Sequence, residues 1–550
     1  MPDNHVNVVV VGAGAGGGVV AKELSAAGLS VVLLERGGWP VFEEYDHDEL
    51  SAQFYGVLRN AYGPDDERHR RVIKDSSGAW RTVTPTSGSF GVIGANVGSG
   101  TATYGAMAWR FLPQDFRMRS IYGTPEGSTL DDWPIAYEDL EPCYEKAEWE
   151  IGVSGNDIGN PFAPQRRKPL PMPPHPWNRV ASRLEPAARR LGWHPIPIPM
   201  LRNTVPYGGR PACIHCRYCS GYACEVNAKN GTHNTVIPAA LATGNCRLET
   251  HAVASEVIID DRGRAGGVRY FDAKNRARTQ TADVVVVSCA AIETARLLLN
   301  SRSRLFPNGA GNRHDWVGRN LQDHAYTGAN GLFEEEVYDD VGPGAQVAIC
   351  NFNHDNKGLR GGGYLCNQFI CLPYAFTRRR PPGEPGWGKA HKDFQRHYFK
   401  RFIGIHGPVQ EMPVFDARVE VDPEVQDFWG IPVARISGQR HPDDIELCRF
   451  MSSKAEAWLK EAGATRIWRS IPGRTVVASA HQAGTCRMGN DPKTSVATRY
   501  GQVHDIDNLF LADGSLHVTN GGFNPVLTIM ALGYWVSDYI KREWKGTRFR

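Results

Sequence analysis

Three groups of residues in this 550-residue chain have the types and spacing to do chemistry. The first is His481, in the turn His481-Gln482-Ala483-Gly484, and Asn524, which opens Asn524-Pro525-Val526-Leu527. A neutral imidazole can take a proton near neutral pH. An amide beside it can hold the same substrate oxygen. Asn is a good helix cap and Pro is tolerated at the first helical position, so a helix is expected from Pro525 through Tyr534 to about Ile540. Its N-terminus would favour a negative charge. The second group is Cys213-x-x-Cys216-x-x-Cys219-x4-Cys224, four thiols in twelve residues. Thiols so spaced can converge on one metal centre, as in iron–sulfur loops; structural zinc and unligated buried thiols are the other readings of the spacing. The third is Gly12-x-Gly14-x-x-Gly17, whose glycines permit a tight turn and close approach of backbone to a pyrophosphate.

The elements around these groups must position them. Asn7 to Val11 is a short apolar run that reads as a buried parallel strand. The glycine turn follows it, then a helical stretch from Val19 to Leu24, then a second strand, Val31 to Leu34, ending in Glu35. Strand, glycine turn, helix, strand and acidic residue in that order form a dinucleotide fingerprint, with Glu35 placed to hold ribose hydroxyls. Val97 to Arg110 is rich in Gly, Ala, Ser and Thr, which lets backbone lie flat against something large and rigid. Leu140, Tyr144 and Ala147 give the stretch from Trp133 to Val153 a helical face, and Pro161 to Pro176 reads as an extended connection. Thr250–Ile259 and Gly267–Phe271 read as antiparallel strands, Val284–Val287 as another buried parallel strand, and Ile292–Leu297 as a helix. From about Ala325 to Gly473 strand-like stretches such as Ala417–Val421 and Ile431–Ile436 alternate with Gly/Pro-rich loops. The expected fold is therefore α/β plus β, with a Rossmann-type nucleotide-binding domain and an antiparallel-sheet substrate domain inserted into it. The expected parts are 1–324, holding the cysteine loop 209–231; 325–473, the substrate domain; and 474–550, the returning part of the first domain.

Bulk properties narrow the function classes. Apolar content of 41% supports sizeable cores, and a net charge of +3 gives no reason to expect nucleic acid or a membrane surface as partner. No apolar run approaches eighteen residues, so no transmembrane helix is expected. The N-terminus lacks a secretory n-region and h-region, which predicts a chain with no export address of its own. Twelve cysteines are dilute in a chain this long, and the clustering of four points to metal rather than disulfides.

The fingerprint, the Gly98–Arg110 loop, Val317-Gly318-Arg319-Asn320-Leu321-Gln322-Asp323-His324, His481–Gly489 and Ala512–Met530 together resemble the glucose-methanol-choline (GMC) flavoprotein oxidoreductases along nearly the whole chain. Trp109–Pro113, Tyr137–Pro142 and the cysteine loop opened by Gly209-Arg210-Pro211 are similar to one branch, the catalytic subunits of bacterial sugar and sugar-acid dehydrogenases: gluconate, fructose, FAD-dependent glucose and glucoside 3-dehydrogenases. The resemblance implies non-covalent FAD, since Thr103 stands where some relatives carry a flavin-tethering His. It implies cofactor contacts from Gly12, Gly14, Gly17, Glu35, Gly98, Ser99, Tyr104, Gly105, Val253, Asp513, Asn524, Pro525 and Val526, with His481 and Asn524 facing the substrate. It implies a [3Fe–4S] cluster on Cys213, Cys219 and Cys224, with Cys216 as a fourth thiol. The activity implied is oxidation of a hydroxyl of a sugar, glycoside or sugar acid, with electrons passing from flavin through the cluster to a cytochrome c subunit. A small partner subunit carrying the export signal, and a periplasmic, membrane-associated location, follow from the same resemblance; a cytoplasmic location is the alternative. An oxygen-using alcohol or sugar oxidase and a non-catalytic electron-transfer subunit are the rival functions. Glu411 is a further candidate for orienting substrate.

Overall fold

The computed structural model describes residues 5–40, 47–50, 63–87, 90–91, 93–476, 480–545 and 549. Residues 1–4, on which the reading of the N-terminus partly rests, lie outside them.

A seven-stranded sheet carries the nucleotide-binding half. His5–Val11 lies between Val31–Leu34 and Ala277–Val287, parallel to both, and Cys246–Glu249 extends the sheet beyond Val31–Leu34. Leu509–Leu511, from the far end of the chain, adds a parallel strand beside Val285–Val287. The runs Val8–Val11 and Val284–Val287 are buried throughout, as strands covered on both faces require. Val253–Ile259 and Ala265–Phe271 form the expected antiparallel pair, and the latter also pairs antiparallel with the long strand Ala277–Val287, Phe271 opposite Ala277. The helices Ala15–Ala26 and Val526–Lys545 pack on each other against this sheet. The second begins within a residue of the sequence expectation and runs one turn longer.

The second sheet has six antiparallel strands in the order 466–470, 325–332, 402–409, 365–367, 347–349 and 195–197. The helix Pro442–Glu461 covers it through Leu447, Met451, Trp458 and Leu459. Its last strand, Pro195–Pro197, comes from the first half of the chain, so the sheet is not confined to 325–473. Arg418–Gln426 and Pro432–Ser437, expected within the inserted domain, join instead with Arg71–Lys74 and Trp80–Val83 in a separate four-stranded sheet. Local alternation marked these residues as strands but carried no information about their partners. No described helix is long and apolar enough to cross a membrane.

Candidate active site and cofactor cavity

At the carboxyl end of His5–Val11 the chain turns through Gly12, whose φ of +99° and the Ser288 carbonyl, 2.2 Å from where a Cβ would sit, admit only glycine. Gly14 precedes the helix Ala15–Ala26, and no side chain caps that helix, so its first N–H groups remain available to an anion. Gly17 faces the Gly12 carbonyl, 1.9 Å from its would-be Cβ, and serves close helix–turn packing. The buried Glu35 carboxylate accepts from Ala13 N at 2.9 Å and Gly37 N at 3.0 Å. Burial pushes its carboxyl upward while those amides oppose the shift. The small-residue loop lies against this turn: Gly98 N donates to Ala13 O at 2.8 Å, and Ser99 sits beside Gly14.

These elements enclose a cavity of about 610 Å³, a size suited to a large ligand. Gly12, Gly14, Glu35, Ser99, Tyr104, Gly105, Val253, Asp513, Asn524, Pro525 and Val526 all line it, as does His481. Gly17 and Gly98 lie behind the wall, Gly98 against the His233 ring. Their part is therefore to shape the backbone rather than to touch a ligand. Asp513 accepts from Thr294 Oγ1 at 2.6 Å and Ser515 N at 2.8 Å, fixing its carboxylate at the wall. Thr103 lines the cavity too.

At the other end of the cavity His481 Nδ1 lies 2.9 Å from His324 Nδ1, and His481 Nε2 lies 3.3 Å from Asn524 Nδ2. His324 Nε2 faces two carbonyls, Asn520 O at 3.0 Å and Gly521 O at 2.9 Å, so it must carry hydrogen. In the neutral ring that leaves His324 Nδ1 as an acceptor. His481 Nδ1 then donates to it, and the lone pair of His481 is left on Nε2, facing the cavity. Burial, and after it the neighbouring His324 ring, pushes the His481 pKa well below the ordinary imidazole value. His481 is thus neutral at physiological pH.

Asn524 is held from three sides. Tyr364 OH donates to its Oδ1, and its Nδ2 donates to Tyr326 OH at 3.1 Å as well as toward His481. Tyr326, Tyr364, Gln368 and Phe369 complete this end of the cavity. The sequence reading missed all four. Tyr326 stands two residues after His324 and was within reach of that motif; Tyr364 and Gln368 flank the short strand Leu365–Asn367, which carries no local signal. Glu411 does not reach the cavity: it accepts from Arg440 Nε at 2.5 Å and Asp323 N at 3.1 Å. Asp323 Oδ1 in turn accepts from His481 N at 3.0 Å, so Glu411 supports the backbone of His481 instead of lining the cavity.

Cys213, Cys216, Cys219 and Cys224 converge on a second, much smaller cavity. Cys213 Sγ accepts from His215 N and Cys224 Sγ from Ala228 N, each at 3.3 Å. A hydrogen bond from the Cys216 thiol is the main cause holding Cys219 down to about 5. Among the described residues no group of three or more His, Cys, Asp or Glu side chains is arranged to hold a single metal ion. The four thiols, two of them accepting from amide N–H groups, match an iron–sulfur cluster in donor chemistry.

Family profiles named GMC oxidoreductase match residues 128–326 and 413–533. The 2-methyl-1,2-propanediol dehydrogenase of Mycolicibacterium austroafricanum is 31% identical, with 98% of this chain and 96% of the relative covered. The gluconate 2-dehydrogenase flavoprotein of Pantoea cypripedii is 29% identical over 98% of this chain and 94% of its own. Among solved structures, pyridoxine 4-oxidase from Mesorbium loti superposes with a TM-score of 0.64 over 98% of this chain and 99% of that one, at 16% identity. The chain belongs to the GMC oxidoreductase family. It is an oxidoreductase, and its cofactor is FAD.

Proposed function

We propose that the protein is a dehydrogenase that oxidises a hydroxyl of a sugar, glycoside, sugar acid or related polyol and passes the electrons on through its cysteine loop. FAD, when bound, supplies the acceptor for the hydride that leaves the carbinol carbon. His481 Nε2 takes the hydroxyl proton, the electron pair of the broken O–H bond becomes the second C–O bond of the product carbonyl, and the C–H pair leaves with the hydride. Asn524 Nδ2, oriented by Tyr364 and Tyr326, donates to the same oxygen and holds it beside the base. The unpaired N–H groups at the start of Val526–Lys545 favour negative charge at this end of the cavity. The tyrosine rings and Gln368 offer apolar faces and polar tips suited to a polyhydroxylated substrate. The named activities of the two relatives, on a diol and a sugar acid, support this substrate class.

One observation carries the relay: the thiol cavity and the FAD cavity share a wall. Cys219 lines the first, Ser220 and Gly221 line the second, and Gly221 N donates to Thr103 O at 2.7 Å in the small-residue loop. An iron–sulfur cluster on Cys213, Cys219 and Cys224, with Cys216 as a fourth thiol, would supply one-electron transfer from that wall outward. Ile214, 58% exposed, places the far side of the loop at the surface, where a haem protein or similar one-electron carrier can dock. A cytochrome subunit, a small export partner and a periplasmic site of action complete the proposal.

Anaerobically purified protein should show flavin absorbance, an iron–sulfur EPR signal and about three irons per chain. Acid precipitation should release intact FAD. Sugars, sugar acids and small diols, added anaerobically, should include a substrate that bleaches the flavin. No bleaching by any of them would sink the substrate class. Zinc without iron, with rapid peroxide formation in air, would favour an oxidase.

A further inference from the structure

Two buried cations flank the thiols. Arg202 and Lys229 pair across an isolated antiparallel bridge, which sets their side chains next to each other, and they are 1% and 2% exposed. Like charges opposite one another repel, and each buried ion also loses its hydration. Both side chains line the thiol cavity.

Lys229 Nζ donates to three carbonyls, Cys219 O at 2.8 Å, Tyr222 O at 2.6 Å and Tyr104 O at 3.1 Å. These satisfy its hydrogens and leave its charge unbalanced. Arg202 Nη2 donates weakly to Gly105 O, at 3.4 Å, while its buried Nε and Nη1 have no partner. Among the described residues neither cation sits in an ion pair with a carboxylate. The groups whose charge bears on Lys229 are Cys219, Cys224 and Cys216, with Arg202 opposing. An arrangement this costly needs an anion between the cations, and the thiols are the anion-forming groups available.

We propose that Arg202 and Lys229 are the charge-compensating pair of the cysteine site: they hold a thiolate-bound cluster in place and raise its reduction potential. The inference rests on the cluster reading above. A cluster held by three or four thiolates is anionic, and each electron that enters adds one more negative charge. Net charge and hydrogen bonding at the sulfurs are among the factors that set such potentials. Cations fixed in a low-dielectric interior stabilise the more negative state most, so they favour electron uptake. Their location serves the direction of flow. Both reach the small-residue loop, through Gly105 O and Tyr104 O, so the positive charge stands between the FAD cavity and the thiols and draws electrons toward the latter.

The test uses the full-length holoenzyme, purified anaerobically, with iron and FAD counted per chain and the cluster potential measured by EPR-monitored redox titration. Arg202→Gln and Lys229→Met should each shift the potential to more negative values or lower the iron content, with FAD content unchanged. Arg202→Lys, which keeps the charge and discards the planar fork, should restore both toward wild type. A potential unmoved in iron-loaded Arg202→Gln and Lys229→Met overturns the proposal and leaves the cluster reading intact. Loss of iron from Arg202→Lys as severe as from Arg202→Gln also overturns it, because packing and not charge would then be the cause. Wild-type protein without iron sinks the cluster reading and this proposal with it.

Discussion

The Nδ1 atoms of His324 and His481 lie 2.9 Å apart with their ring planes crossed at 84°, and through this contact two main-chain carbonyls decide which nitrogen of His481 is basic. The carbonyls of Asn520 and Gly521 force hydrogen onto His324 Nε2, and the preference passes through two rings to His481 Nε2. The tautomer is thereby set by main-chain carbonyls and relayed by the His324 ring.

His481→Ala should lower kcat by about 10²–10⁴-fold, the usual share of a general base. His324→Leu removes the acceptor and frees the wrong tautomer, so kcat should fall by roughly 10–100-fold, the range for losing a partner that orients a histidine. KM should change little in either, since both act on the transition state. Steady-state kinetics check this, and unchanged turnover in His324→Leu would refute the tautomer argument.

Tyr364→Phe deletes the donor to Asn524 Oδ1 and leaves the ring. One hydrogen bond is worth ~0.5–1.5 kcal/mol, so kcat/KM should fall by roughly 3- to 10-fold. Asn524→Ala should lose more, because the contact to the substrate oxygen goes as well. Stopped-flow reduction of the bound flavin separates the two.

Glu411→Ala should cost stability rather than specificity. It strips a buried partner from Arg440, and breaking such a pair costs about 3–5 kcal/mol. A lowered melting temperature with unchanged relative KM values across substrates is the expected outcome. A selective rise in KM for one substrate would return Glu411 to the cavity.

Acid should weaken the fold early. Burial depresses the pKa values of His517 to about 4 and His233 to about 3, and lowers those of His324 and His481. In the unfolded chain a histidine titrates near ~6.5, so below that pH the unfolded state binds more protons than the folded one. The contribution of these rings is complete above about pH 6.5 and declines as pH falls toward their folded values. Melting temperatures between pH 7.5 and 5 should drop steadily, while kcat/KM keeps its basic-form plateau to below the usual imidazole range.

The sequence was most legible where chemistry follows chain order. The turn from Gly12 to Gly17, with Glu35 at the end of the next strand, is a local pattern, and the structure keeps it local. Strand and helix spans around Val31–Leu34, Val253–Phe271 and Val526 were likewise readable from apolar periodicity. Pairings were not. Nothing near Pro195–Pro197 tells it to border Val347–Ile349, and nothing near Arg435–Ile436 tells it to lie beside Val72–Ile73. Glu411 shows the same limit at the site. An acidic residue near a substrate domain suggests a ligand contact, but its partner Arg440 is set by tertiary packing. The burial of Arg202 and Lys229 side by side, without a carboxylate partner among the described residues, is likewise visible only once the bridge between their two stretches of chain exists.

The FAD cavity takes its walls from both extremes of the chain, Gly12 at one end and Asn524 at the other. On the ribosome this imposes an order of events. At about 5–20 residues per second, some tens of seconds pass between emergence of the glycine turn and arrival of Leu509–Leu511 and the last helix. During that interval the nascent chain can thread its first strands but cannot seal the nucleotide in. Closure of the cavity is therefore a late event of folding, which waits for Leu509–Leu511 and Val526–Lys545 to join the first strands.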